Sequence, residues 1–168
     1  MNYHKILYDD QLNGEGLRVV LFVSGCSHHC EGCHNPQTWD SKSGKEFDQD
    51  AMDEITHYLS KDYTEGITLS GGDPLDYSNV EDILELCKEI KSTFPNKTIW
   101  IYTGYRVEDV LKHPVQRNVL EYADVLVDGP FMKDLFEQNY PYAGSTNQRI
   151  IDIPATLEAN EAVLYKLK

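Results

Sequence analysis

Three cysteines, Cys26, Cys30 and Cys33, share one short segment, Cys26-Ser27-His28-His29-Cys30-Glu31-Gly32-Cys33. Thiolates spaced C-x3-C-x2-C on one loop can occupy three corners of an iron–sulfur cubane, because soft sulfur suits such clusters and short spacings let one loop wrap around them. A complete cubane takes four ligands. Three leave one iron open to an outside ligand, and an open coordination position marks catalytic rather than structural metal sites. The competing reading is a zinc site of three cysteines and one histidine, since His28, His29 and His34 are adjacent. Structural zinc sites usually pair two Cys-x2-4-Cys knuckles from separate segments, and no second knuckle exists here. Spacing alone leaves both readings open.

The elements that must position this loop alternate between strand-like and helix-like. Arg18-Val19-Val20-Leu21-Phe22-Val23 is a nearly unbroken apolar run, as expected of a strand in a parallel sheet covered on both faces. Gly66-Ile67-Thr68-Leu69-Ser70, Thr98-Ile99-Trp100-Ile101-Tyr102 and Asp124-Val125-Leu126-Val127 share that character. Met52, Ile55 and Leu59 predict a helix from about Asp48 to Ser60. A second helix is predicted to begin at Ser78, where Glu81 three residues on completes a capping-box signature. Val80, Ile83, Leu84, Cys87 and Ile90 recur in it at helical spacing, which gives Cys87 a core role as a small apolar residue.

This alternation implies a mostly parallel α/β sheet with right-handed crossovers. At 168 residues the chain is one domain, and it is shorter than the roughly 250 residues of a complete eight-stranded barrel. The expectation is therefore an incomplete, TIM-like β/α barrel. Active sites of such folds gather at the C-terminal ends of the strands. Each strand here leads into a distinctive loop: the cysteines, Gly71-Gly72-Asp73-Pro74, Thr103-Gly104-Tyr105, and Asp128-Gly129. Four such loops are expected on one rim. Gly71 and Gly72 permit close backbone approach, and carbonyls there with the Asp73 carboxylate can bind an ammonium group; a tight turn ended by Pro74 is the plainer alternative. Asp128 can face the same site or cap a helix.

The charge balance narrows the partners. With 28 Asp and Glu against 15 Lys and Arg the formal net charge is −13, which repels phosphate backbones, so nucleic acid is not an expected partner. No signal-peptide pattern opens the chain and no segment has the run of apolar residues that spans a bilayer. A cytoplasmic protein is expected, and in that reducing compartment clustered cysteines speak for metal or redox chemistry rather than disulfides.

The cysteine spacing resembles the signature of the radical S-adenosylmethionine superfamily, and further segments resemble its activating proteins of anaerobic ribonucleoside-triphosphate reductases. These are Asn13-Gly14-Glu15-Gly16-Leu17-Arg18, Phe22-Val23-Ser24-Gly25-Cys26, Cys30-Glu31-Gly32-Cys33-His34-Asn35 and Thr38-Trp39. Leu69-Ser70-Gly71-Gly72-Asp73-Pro74-Leu75, Ile99-Trp100-Ile101-Tyr102-Thr103-Gly104-Tyr105, Val127-Asp128-Gly129 and Gly144-Ser145-Thr146-Asn147-Gln148-Arg149 follow in order. The resemblance covers roughly residues 1 to 150. It implies a [4Fe-4S] cluster on Cys26, Cys30 and Cys33, whose open iron is chelated by the amino and carboxylate groups of S-adenosylmethionine. One electron, from reduced flavodoxin or a similar donor, then splits the sulfonium. The 5′-deoxyadenosyl radical so formed takes a hydrogen from a glycine of the reductase's glycyl radical subunit.

The S-adenosylmethionine site implied in this way comprises Gly32, Cys33, His34, Ser70, Gly71, Gly72, Asp73, Thr103 and Asp128. Three departures from the superfamily pattern stand out: Gly32 replaces the frequent aromatic before the last cysteine, Asp73 the frequent Glu, and His34 a common Tyr. The activating proteins also commonly carry Gly at the first of these. The tail from Pro154 to Lys168 matches no family pattern. Two rivals remain: activation of another glycyl radical enzyme of the pyruvate formate-lyase type, and a non-catalytic zinc or iron–sulfur binding module.

Overall fold

The computed structural model describes residues 1–168. In chain order the elements are β1 (Asn2–Asp10), β2 (Leu17–Val23), β3 (Lys45–Glu46), α1 (Gln49–Leu59), β4 (Thr64–Gly71), α2 (Val80–Thr93), β5 (Thr98–Tyr102), α3 (Val107–Val110), α4 (Pro114–Leu120), β6 (Val125–Asp128), β7 (Arg149–Asp152) and α5 (Ile153–Ala159). They form one seven-stranded open sheet in the order β3-β1-β2-β4-β5-β6-β7. The four central strands are parallel, whereas β1, β3 and β7 join antiparallel at the two sides. No helix is long and apolar enough to cross a membrane.

The four strands expected from apolar runs are the parallel ones, for the reason given: Val19, Leu21, Val23, Ile67, Leu69, Ile99, Ile101 and Leu126 are buried in one core with α1, α2 and α4. The antiparallel strands escaped the sequence reading. β1 is a side strand of mixed polarity with no fully buried residue, and β3 and β7 have only two and four residues. α1 begins where expected, with the Asp48 carboxylate accepting from Ala51 N–H.

The capping box at Ser78 does not form. The N-cap of α2 is Asn79, whose side chain makes no cap hydrogen bond. Ser78 Oγ instead donates to Asp76 Oδ2 at 2.6 Å, and Asn79 Nδ2 is diverted to the carbonyls of Ser24 and Asp73, at 2.7 and 3.0 Å. A tertiary demand at the cysteine loop has overridden the local motif. Cys87 lies in the core, fully buried, and burial pushes its thiol up to about 12.

The opposite face of the sheet is built around Trp100, Val125 and Val127. Arg18 is buried there, and all five of its N–H groups are used: Nε on Thr68 Oγ1, Nη1 on Glu15 O and Thr98 Oγ1, Nη2 on Ile67 O and Thr98 O. Burial lowers its pKa to about 10, so it stays charged at neutral pH. The tail also has a place: α5 is capped by Asp152, and Tyr165 packs edge-on against Trp100 while its hydroxyl donates to Glu15 Oε1.

Candidate active site

The strand-end loops converge because their backbones interlock. Beyond β2, Gly25 N–H donates to Thr38 O and Cys26 N–H to Trp39 O. Beyond β4, Gly72 N–H reaches back to Val23 O and Asp73 N–H to Gly25 O. This approach is so close that a Cβ on Gly72 would stand 2.6 Å from Gly25 O, a separation only glycine permits. Asp76 ties the cysteine loop from below, accepting from Ser27 N–H, Ser27 Oγ, Ser78 N–H and Ser78 Oγ. Burial alone would raise its pKa, but these bonds, led by those from Ser78, bring it below the ordinary carboxylate value.

The result is a cavity of about 660 Å³ whose lining includes Cys26, Cys30, Cys33, His34, Ser70, Gly71, Gly72, Asp73 and Thr103. All four cysteines of the chain are free thiols. Burial pushes the Cys26 thiol up to about 11, and Cys33 Sγ accepts from Asn35 N–H at 3.4 Å. Three soft sulfurs of one loop, open on one side to this cavity, fit a cubane with an unsaturated corner.

Asp73 is the hub of the rim. Its carboxylate is 1% exposed and accepts from Leu75 N–H at 2.9 Å, Thr103 Oγ1 at 2.9 and 3.0 Å, and Gly104 N–H at 2.9 Å. His28 Nε2 stands 2.7 Å from Oδ2, and this hydrogen bond raises the histidine's pKa against the effect of burial. Thr103 lines the cavity and also braces Asp73. Gly104 gives the imidazole room: a Cβ there would lie 2.6 Å from His28 Cδ2.

Two expected site residues stand apart. Gly32, with φ +76°, turns the loop against Phe131 and Lys133 and is not part of the cavity lining. Asp128 faces away from the cavity. It is buried with Oδ2 accepting from Val107 N–H at the start of α3 and from Arg149 Nη2, while Arg149 also binds Glu108. Strand periodicity explains this, since Asp128 shares the face of Leu126, which belongs to the helix-covered core.

Other residues of the site were not assigned to the S-adenosylmethionine pocket from the sequence. Tyr102 lines the cavity and its hydroxyl donates to Tyr142 O. Phe131 and Phe136 form an apolar wall and pack on the His34 ring, at 4.9 and 5.9 Å between centroids. Gln148 closes the base of this wall: its Oε1 accepts from Gly144 and Ser145 N–H and its Nε2 donates to Gly129 O. The segment Gly144–Arg149 is therefore a clamp for the loop that bounds the cavity. His28 and Asn79 act between segments roughly fifty residues apart, which no local pattern signals.

An open α/β sheet with three thiols on the loop after its first parallel strand defines a class of iron–sulfur protein, and the chain belongs to the 4Fe-4S single cluster domain family, whose model matches residues 12–151. It is 45% identical over 150 residues to the anaerobic ribonucleoside-triphosphate reductase-activating protein of Enterobacteria phage T4, covering 89% of this chain and 93% of that one. The protein of the same name from Escherichia coli strain K12 is 43% identical over 150 residues, with 88% and 96% covered. That of Haemophilus influenzae is 41% identical over 152 residues, with 89% and 97% covered. Family membership decides between the two readings of the cysteine loop in favour of the iron–sulfur cluster.

Proposed function

We propose that the chain activates an anaerobic ribonucleoside-triphosphate reductase by cleaving S-adenosylmethionine reductively at a [4Fe-4S] cluster held by Cys26, Cys30 and Cys33. The observation that carries this reading is that these thiols share one cavity with Ser70, Gly71, Gly72 and Asp73. Held by these thiols, the cluster would supply the electron for splitting the sulfonium, and the hydrogen abstracted would come from a glycine of the reductase.

The chain's own residues bind, orient and shield. Asp73 contributes the buried negative charge for the methionyl ammonium, together with the carbonyls of Ser70, Gly71 and Gly72. Cys33 and His34 bound the adenosyl end, and Gly32 shapes the turn that presents them. Thr103 holds Asp73 in place. Asp128 supports the site at a distance through α3 and Arg149 rather than by contact. Tyr102, Phe131 and Phe136 make the wall that keeps water and competing reactions from a reactive fragment.

We read residues 1–168 as one domain and its open seven-stranded sheet as a β/α barrel left incomplete. The missing strands leave a lateral entry for a loop of a large partner, where Leu12 and Phe136, both cavity-lining, are 80% and 51% exposed. The protein works in the cytoplasm with reduced flavodoxin or a similar one-electron donor.

The test is anaerobic reconstitution followed by measurement of 5′-deoxyadenosine, and of the glycyl radical signal on the reductase by electron paramagnetic resonance. The native chain and Cys87→Ala should form both products, and Cys26→Ala, Cys30→Ala and Cys33→Ala neither. A brown, cluster-loaded native chain that made no 5′-deoxyadenosine with a strong reductant would overturn the reading.

A further inference from the structure

The three thiols of the loop do not have equivalent surroundings. Cys26 Sγ, a ring nitrogen of His28 and a carboxylate oxygen of Asp73 all lie within 4.8 Å of one another, a group to which Cys30 and Cys33 do not belong. His28 and Asp73 are held from several sides. The imidazole meets the Tyr105 ring edge-on at 4.5 Å and lies against Gly104. The carboxylate is anchored by Leu75 N–H, Thr103 Oγ1 and Gly104 N–H. Three ligand types that zinc accepts, sulfur, imidazole nitrogen and carboxylate oxygen, are thus offered by two loops braced by a third.

Zinc bonds of about 2.0 to 2.3 Å put tetrahedral ligands roughly 3.3 to 3.6 Å apart. His28 Nε2 and Asp73 Oδ2, now 2.7 Å apart, would separate by about 0.6 Å to admit an ion. The His28 side chain, 19% exposed, must supply that movement, since Ser27 is bonded to Asp76 and Asp73 is anchored by three donors.

We propose that before the cluster is loaded, Cys26, His28 and Asp73 bind one divalent ion of the zinc class, with water in the fourth position. The Cys26 thiol releases its proton to solvent and binds as thiolate. His28 gives up to solvent the Nε2 proton it shares with Asp73 and binds through Nε2 as the neutral imidazole protonated on Nδ1, and no electron is transferred. This site shares Cys26 with the cluster, and an ion that holds Cys26 leaves the cluster one short of its three thiolates, so the ion and the cluster compete. A zinc-loaded chain must lose its ion before it can take up iron and sulfide.

The probe is cobalt(II), titrated anaerobically into the full-length, thiol-reduced, cluster-free chain and followed by its sulfur-to-metal charge-transfer and visible bands. One equivalent should bind to the native chain with four-coordinate bands. Cys26→Ala should abolish the charge-transfer band and His28→Ala should weaken binding tenfold or more, whereas Cys30→Ala and Cys33→Ala should stay within threefold of native. Circular dichroism verifies that each variant is folded. In a second arm, one equivalent of zinc should slow cluster reconstitution in the native chain and not in His28→Ala. The proposal is overturned if the native chain binds no cobalt, if His28→Ala binds as tightly as native, or if Cys30→Ala or Cys33→Ala loses the band as Cys26→Ala does. The last outcome would put the metal among the three thiols. The cobalt arm uses the cluster-free chain and neither arm measures S-adenosylmethionine cleavage, so failure here is distinguishable from failure of the catalytic reading.

Discussion

The two faces of the sheet are made by the same strands and serve opposite ends. On the helix-covered face, Leu21, Ile67, Ile101 and Leu126 are fully buried among Ile55, Ile83, Ile90 and Val119. On the other face, alternate residues of those strands include Arg18, Thr68, Ser70, Trp100 and Tyr102, and polar groups are satisfied one by one. Burial of apolar surface is non-directional and stabilises wherever it occurs. Polar groups instead must be matched individually, because each unpaired one costs about 1–3 kcal/mol. The first face holds the chain together; the second, with the loops beyond it, shapes the cavity.

This contrast can be broken at several points. Replacing Arg18 with Met should have the largest effect, a loss of about 4 kcal/mol, because its five hydrogen-bond acceptors include the buried Thr68 and Ile67 groups. Urea denaturation measures it; a loss below 1 kcal/mol would show that this polar face relaxes freely. Ile83→Ala on the helix-covered face should cost about 3 kcal/mol by cavity formation, without changing the spectrum of the reconstituted cluster. If the spectrum moved with the melting temperature, the two faces would not be separable.

The smallest effect concerns pH. Arg149 holds Glu108 down to about 2 from its ordinary 4.5, so the folded state favours the charged carboxylate. The stabilisation is complete above about pH 4.5 and is lost as pH falls through about 2. The pair is largely exposed, so the change is modest. Thermal unfolding from pH 5 to 2 should fall less steeply for Glu108→Gln than for the native chain, and equal slopes would refute the assignment.

Legibility followed burial. β2, β4, β5 and β6 were readable because strands covered on both sides leave continuous apolar runs, and α1 because Met52, Ile55 and Leu59 recur at helical spacing. β1, β3 and β7 were not, since side strands are short or mixed in polarity. Ser78 and Glu81 show a good local motif losing to a distant one: the turn from Asp76 to Asn79 is recruited to hold the cysteine loop. Asp128 was assigned to the rim from its position at a strand end, while the period-two alternation through Leu126 points it to the helices.

The trio of candidate thiols, the parallel core and the loops that follow its strands were written into residue type, spacing and periodicity, which are local quantities. Which loop touches which was not. The hydrogen bonds of Asp73 to Thr103, Gly104 and His28, the diversion of Asn79, the clamp of Gln148 and the turn of Asp128 towards α3 all join groups far apart in sequence or on opposite faces. Such pairings depend on strand order and side-chain direction, which exist only once the sheet has assembled.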